Sequence, residues 1–349
     1  MTPRPGELGW AILGTGKIAR IFAASLARSR TGRLVGIASR SADAAYRFGE
    51  DFGVRRRYVG YDAALTDPDV DVVYLATPHT THADLTIRAA AYGKHVLCEK
   101  PLTVTEDQAH RVLAAVRAHR VFLMEAFAYR CHPQTRLLVR LLREGAIGQV
   151  RMVQASFGYN AGPAPGNYLF RPDLAGGSIL DVGCYTMSMC RLIAGAAQER
   201  DVADPVAVTG TGHLDHGVDL RAAAVVRFAD GLTAQLSCAI DADLGEHLRV
   251  VGSDGTITLT GPFLPGRRPA GVLRLRTSSA EQTWPLTPGD PDLYALEADE
   301  VARHLPDGQS PAMSHADSLG NTAALDAWRR AIGLTFPVER ASGLPGRGR

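Results

Sequence analysis

The apolar run from Leu8 to Leu13 breaks directly into Gly14-Thr15-Gly16-Lys17-Ile18-Ala19, and a helix-like stretch from Ile21 to Ala27 follows. A strand that turns through glycines into a helix has few folds open to it. Gly14 permits the tight turn. Gly16 lets the backbone come close to a bound group, and Ala19, in the third small position, lets the helix pack on the strand. The first N–H groups and the dipole of that helix favour an anion. The pattern therefore predicts a strand–helix unit whose backbone, from Gly14 through Thr15, Gly16, Lys17 and Ile18, cradles the pyrophosphate of a dinucleotide.

The next strand, Arg33 to Ala38, ends in Ser39-Arg40-Ser41. An NAD-specific site would carry an acid there for the ribose 2′-hydroxyl. An arginine flanked by hydroxyls suits a 2′-phosphate, so NADP is expected over NAD. Strands Val70 to Ala76, His95 to Cys98 and Val121 to Glu125 alternate with helices His82 to Tyr92 and Glu106 to His119. Such alternation predicts a doubly wound parallel sheet, an α/β Rossmann domain. Ligands lie at the carboxyl ends of its strands. Thr77, Pro78, His79, His82, Glu99 and Lys100 fall there and are expected to line the cofactor.

Lys100 has a further claim. The chain has 38 basic residues, and only Lys17, Lys94 and Lys100 are lysines. A chain this biased to arginine keeps lysine where arginine fails, and arginine neither loses its proton nor matches the compact ammonium in shape.

After a helical stretch, Pro133 to Glu144, the period changes to two. Gln149 to Tyr159, Val206 to His213, Asp219 to Phe228, Leu232 to Ile240, His247 to Gly252 and Thr256 to Leu259 read as strands, with hairpin signals at Asp230-Gly231 and Asp254-Gly255. The second half is thus expected to be an α+β domain with a large, open, mostly antiparallel sheet. The expected division is 1–128 for the Rossmann domain, 129–335 for the substrate and assembly domain, and 336–349 for a flexible tail. An open sheet needs cover, and a second copy is the simplest. A homodimer or homotetramer through this sheet is expected.

One segment breaks the β pattern: Gly176-Gly177-Ser178-Ile179-Leu180-Asp181-Val182-Gly183-Cys184-Tyr185. Asp181 and Tyr185 are four apart, which sets them on one face of a helix. An acid and a phenol together suit proton transfer, and a buried N-cap and core tyrosine is the plainer alternative. Tyr159, Tyr168 and Arg171 are candidates to line a substrate pocket. His213-Leu214-Asp215-His216 lacks a third matched ligand, and no metal is expected.

Composition narrows the class. A net charge of +2 gives no electrostatic case for nucleic acid or a membrane surface. No apolar run in the sequence reaches the roughly 18 residues of a membrane span, and residues 1–7 read as a polar tail. The odd, widely spaced cysteines fit reduced thiols and a cytoplasmic setting.

Taken in order, Gly14-x-Gly16-x-x-Ala19, Thr77-Pro78, Glu99-Lys100-Pro101 and Gly176-Gly177-Ser178-x-x-Asp181-x-Gly183-x-Tyr185 resemble the Gfo/Idh/MocA oxidoreductases over about residues 8 to 335. The resemblance implies that Lys100 lies near the nicotinamide and the reacting carbon, and that Asp181 contacts substrate hydroxyls. Tyr185 stands where many members have histidine as acid/base. The tyrosine resembles the glucose–fructose oxidoreductase, dihydrodiol dehydrogenase and sugar ketoreductase branches. The expected activity is NADP-dependent hydride transfer on a sugar, keto-sugar or polyol. A small-diol dehydrogenase is the alternative within the fold, and an NADP-sensing regulatory protein the alternative outside catalysis.

Overall fold

A computed structural model of the chain describes residues 7–162, 166–265, 271–285 and 291–341. The stretch 1–6 and residues 342–349, both read from sequence as tails, lie outside them. The chain forms two compact units. One holds the described residues up to Thr103, Asp107–His132, and the C-terminal segment up to Ser318; the other holds Val104–Glu106, the described residues from Pro133 to Pro285, and Leu319 onward.

The first unit is a six-stranded parallel sheet in the order β3-β2-β1-β4-β5-β6. The strands are β1 (Leu8–Leu13), β2 (Gly32–Ser39), β3 (Arg56–Val59), β4 (Val72–Leu75), β5 (His95–Glu99) and β6 (Leu123–Ala126). Trp10 to Leu13 and Val72 to Leu75 are completely buried, as strands covered on both faces must be. Helices α1 (Lys17–Leu26), α2 (Ala42–Phe52), α3 (Asp62–Leu65), α4 (His82–Ala91) and α5 (Glu106–His119) follow successive strands. Strand order reverses between β1 and β4, the point at which such sheets bind their ligands.

The second unit is entered through α6 (Pro133–Arg143). Its sheet has eight strands in the order β14-β13-β12-β11-β7-β10-β9-β8. They are β7 (Val150–Asn160), β8 (Ala207–Asp215), β9 (Val218–Arg227), β10 (Thr233–Ala239), β11 (Asp241–Gly252), β12 (Gly255–Thr260), β13 (Val272–Thr277) and β14 (Glu281–Pro285), with α7 (Cys184–Ala197) packed on β7 and β10. All neighbours are antiparallel except β7 and β10. Val153, Ala155 and Phe157 face the core, while Gln154, Gln235 and Arg249 face outward and hydrogen-bond one another.

Two expectations about the division of the chain need amendment. The chain does not divide once near 128. Helix α8 (Leu293–His304) belongs to the first unit, where Asp299 accepts from Ser29 Oγ at 2.6 Å, Arg30 N at 3.0 Å and Thr31 Oγ1 at 2.8 Å. Residues 336–341, expected as part of the tail, are folded. Beyond α9 (His315–Ala331), Phe336 is buried and leads into α10 (Pro337–Ala341), where Glu339 pairs with the buried Arg329 at 2.5 Å. Finally, the helical stretch Pro172–Ala197 is long and apolar enough to span a membrane, although 89% of its apolar window is buried. Asp173, Asp181 and Arg191 interrupt it, so it holds no unbroken apolar run of that length.

Candidate active site

In the first unit, the β1–α1 turn is built for a close visitor. Gly14 has φ +112°, and a Cβ there would lie 2.3 Å from the Ala76 carbonyl oxygen. Only glycine satisfies both demands. Gly16 differs: its φ is −70°, and an added Cβ would meet no protein atom within 4 Å. Nothing in the fold requires glycine at 16, so its small size serves space outside the protein. Gly16 caps α1 with no side-chain hydrogen bond, and the first turn carries no acid. The helix start thus offers uncapped N–H groups to an anion, which fits a dinucleotide pyrophosphate.

Arg40 is exposed at the end of β2, directly beside this turn. It lies against the Tyr61 phenol, whose pKa is raised by burial and partly restored by the Arg40 charge. Ser39 Oγ accepts from Ser41 N at 3.2 Å, and Ser41 Oγ caps α2 by accepting from Ala44 N at 3.3 Å. These hydroxyls shape the loop and leave Arg40 projecting.

Lys100 is half-buried at the end of β5, and its peptide bond to Pro101 is cis. Its backbone N–H donates to Glu99 Oε2 at 3.2 Å, and Glu99 Oε1 accepts from the Tyr74 hydroxyl. Leu102 N donates to Glu125 Oε1 at 2.7 Å. His82 sets its ring nitrogens 2.9 Å from the carbonyl oxygens of both Pro101 and Thr77. Burial, then the Lys100 charge, depress the His82 pKa, while the two carbonyls oppose that. Thr77 Oγ1 accepts from Thr81 Oγ1 at 2.8 Å, and His79 is buried with its ring centroid 5.9 Å from that of His82.

Two residues expected at the cofactor are engaged by protein groups. Glu99 and His82 turn into the protein, where they pin the loops after β4 and β5. His82 shares its helix face with Thr86 and Ala89, all completely buried, and that spacing carries the histidine inward. Sequence reasoning missed Tyr74 and Glu297. Burial and then the nearby Glu99 push the Glu297 carboxyl well above the usual carboxylate range.

In the second unit, Gly177 has φ +111°, and a Cβ there would lie 2.1 Å from Asp219 Oδ1. This close pass lets Asp219 Oδ2 accept from Ser178 Oγ and Ile179 N, each at 2.7 Å. The following residues, Ile179–Gly183, form a π-helical turn and not the α-helical one that the Asp181/Tyr185 spacing suggests. Such turns recur at functional sites. Asp181, 5% exposed, is carried on it. Asp181 Oδ2 accepts from the Tyr159 hydroxyl at 2.6 Å, and Oδ1 from the Tyr168 hydroxyl at 3.2 Å. Tyr185 is half-buried, edge-on to Phe157 at 5.5 Å between centroids and 5.8 Å from Phe263. Phe157 and Phe263 stack at 5.3 Å. Arg171 is not drawn into this cluster; it is exposed and pairs with Asp173, two residues on. His213, Asp215 and His216 are exposed at the end of β8 and its turn.

Asp219, a lone acid opening an apolar strand, was also missed. Burial pushes its carboxyl from 3.8 up to about 6, against the bonds from Ser178 and Ile179. The folded state therefore holds this proton longer than the unfolded chain does. The resulting stabilisation is complete below pH ~4 and is lost as pH rises through ~6, a cost of about 3 kcal/mol at about 1.4 kcal/mol per pKa unit. Asp219→Asn keeps a carbonyl for Ile179 and has no proton to lose. Between pH 4 and 7 its stability in urea should rise relative to wild type by up to that amount; parallel pH curves would contradict the assignment.

Comparison with known proteins places these features in context. Residues 8–127 match the GFO/IDH/MocA oxidoreductase family, NAD-binding Rossmann fold, and residues 135–258 match the GFO/IDH/MocA C-terminal domain. D-xylose 1-dehydrogenase (NADP(+)) 2 of Haloferax volcanii is 32% identical over 91% of this chain and 95% of that protein. Trans-1,2-dihydrobenzene-1,2-diol dehydrogenase of Xenopus tropicalis is 29% identical over 94% and 99%. The crystal structure of a 3-ketoreductase from Actinomadura kijaniata, in complex with NADP and TDP-benzene, is similar with a TM-score of 0.83 and 31% identity, over 95% of this chain and all of that one.

Proposed function

The chain belongs to the GFO/IDH/MocA oxidoreductase family, and within it we propose an NADP-dependent enzyme acting on the carbinol or carbonyl carbon of a sugar, keto-sugar or polyol. One observation carries the choice of cofactor: the uncapped helix start beside Gly16, with Arg40 exposed where an NAD-specific site would carry an acid. The xylose dehydrogenase and the ketoreductase, named for sugars and for NADP, support the substrate class.

Gly14 to Ile18 would hold the pyrophosphate, Arg40 with Ser39 and Ser41 the 2′-phosphate, and Thr77, Pro78 and His79 the dinucleotide beyond it. When bound, the cofactor supplies or takes up the hydride. Tyr185 moves the proton at the reacting oxygen. A free phenol titrates near 10, and a cation at that oxygen favours phenolate and lowers the value. Lys100 supplies that cation and steadies developing negative charge. Asp181 orders the hydroxyl-binding side of the site, with Tyr159 and Tyr168. Arg171, exposed and paired with Asp173, remains a further candidate for substrate contact. A diol dehydrogenase is the second reading, favoured by the apolar backing that Phe157 and Phe263 give Tyr185.

A panel of aldoses, keto-sugars and diols, each assayed with NADP(H) and NAD(H), tests the proposal. Turnover of at least one sugar with NADP(H) preferred is the expected result. Binding of NADP with no turnover across the panel would favour a sensing protein.

We further propose that the eight-stranded sheet pairs with a second copy in a C2 dimer, alone or within a tetramer. Outward-facing Gln154, Ser156, Gln235, Ser237, Arg249 and Thr258 line a shallow hollow of about 510 Å³ on that face. Light scattering should give at least twice the chain mass at micromolar protein, and a stable monomer would rule the dimer out. The five cysteines, all buried and none in a disulfide, suit the reducing cytoplasm we propose.

A further inference from the structure

Tyr159 and Tyr168 both give their hydroxyl protons to the same carboxylate, at 2.6 and 3.2 Å. A phenol has one O–H, and an ionised carboxylate only accepts. Once that proton points at Asp181, the phenol oxygen can only accept from any further polar group. Asp181 is itself 5% exposed, whereas Tyr168 is 36% exposed and Tyr159 half-buried. A group reaching this cluster therefore meets the tyrosines before it meets the carboxylate.

We propose that Asp181 fixes the hydrogen-bond polarity of the pocket, making Tyr159 and Tyr168 acceptors that select substrates presenting hydroxyl donors beside the reacting carbon. The preferred class is then a vicinal diol, as in an aldose or polyol, over deoxy, fluoro or methoxy compounds of the same shape. The specificity belongs to the tyrosines, and Asp181 acts through them as a positioning residue. For its substrate class the inference rests on the oxidoreductase reading above and deepens it.

The π turn supports this arrangement. Asp219 fixes its start, and Gly177 admits that contact. The carboxylate is thus presented from a segment tied at its start, and its two oxygens accept from donors at different places in the chain. The same acid on a loose loop would leave each phenol free to rotate its proton toward the substrate.

Two measurements test the proposal. The first needs no substrate. A neutron structure of the deuterium-exchanged, full-length protein should place the hydroxyl deuterons of Tyr159 and Tyr168 on the Asp181 side. Deuterons directed away from Asp181, with the carboxyl itself protonated, would overturn the proposal.

The second uses D-xylose and D-glucose with their 2-, 3- and 4-deoxy and deoxyfluoro counterparts. Fluorine keeps a weak acceptor and removes the donor. At one position or more, hydrogen and fluorine should both lower kcat/KM by about 10²-fold or more, the order expected when a site built for a hydroxyl loses it. Tyr159→Phe or Tyr168→Phe should flatten that difference, while Asp181→Asn should let the fluoro compounds recover. Fluoro compounds that keep the parent kcat/KM where deoxy compounds lose it would mean that the phenols donate, and the proposal would fall. So would equal tolerance of every replacement. If neither sugar turns over, the oxidoreductase reading for these sugars fails, and the deuteron positions alone decide the polarity.

Discussion

Tyr185→Phe and Lys100→Ala each lower turnover by about 10²-fold or more, the usual scale for lost acid–base help, while NADP(H) binding is retained. Steady-state kinetics and a cofactor titration on the same preparations measure both halves of this expectation. Tyr185 is backed by Phe157 and Phe263, so removing one oxygen leaves its ring packing in place. The Lys100 backbone is held by Glu99, which the alanine variant preserves. The double variant should lose less than the product of the single losses, because residues that act as a unit do not contribute separately. Lys100→Arg is the more telling change. It keeps the charge but alters its shape and spread, and it should remain badly impaired. Near-normal turnover of Lys100→Arg would remove the case for lysine at this position. Full activity of Tyr185→Phe would move the acid/base role elsewhere, with His79 the next candidate.

Arg40→Ala weakens NADP(H) binding by about 10- to 100-fold, as expected for hydrogen bonds to a charged group, and leaves NAD(H) nearly unchanged. Calorimetric titration with both cofactors separates the two. Arg40 is exposed and its side chain meets the Tyr61 phenol at the surface, so stability should change little. Equal loss for both cofactors would place Arg40 away from the 2′-phosphate.

Much of this was legible in the chain because it is local. The turn from Gly14 to Ala19 announces itself through the apolar strand before it and the helix after it. Likewise, Asp230-Gly231 and Asp254-Gly255 mark real sheet corners, between β9 and β10 and between β11 and β12. The parallel, doubly wound character of the first sheet follows from strand–helix alternation. What the chain hid depends on long-range packing. Tyr159, Tyr168 and Asp181 were separate candidates, and their convergence is set by β7, a short loop turn and the π turn together. Ile179–Gly183 gave no sign of a π turn, because a spacing of four suits the commoner helix equally well. Glu99 and His82 carried an incomplete signal. Polar residues near strand ends read as ligands, and both are also buried and hold protein groups. The position of His82 on the apolar stripe of α4 with Thr86 and Ala89 was the available clue. The place of α8 in the first unit had no clue of that kind, since Asp299 finds Ser29 and Thr31 roughly 270 residues away in sequence.

The central claim is direct hydride exchange between NADP and a substrate carbinol carbon, and isotope transfer tests it most directly. The enzyme is incubated with NADP+ and the best-oxidised sugar of the panel, deuterated at the reacting carbon, and the recovered NADPH is weighed by mass spectrometry. The account predicts one deuterium per NADPH formed, located at C4 of the nicotinamide, and none when the sugar is deuterated elsewhere. NADPH that forms without carrying the label would contradict it.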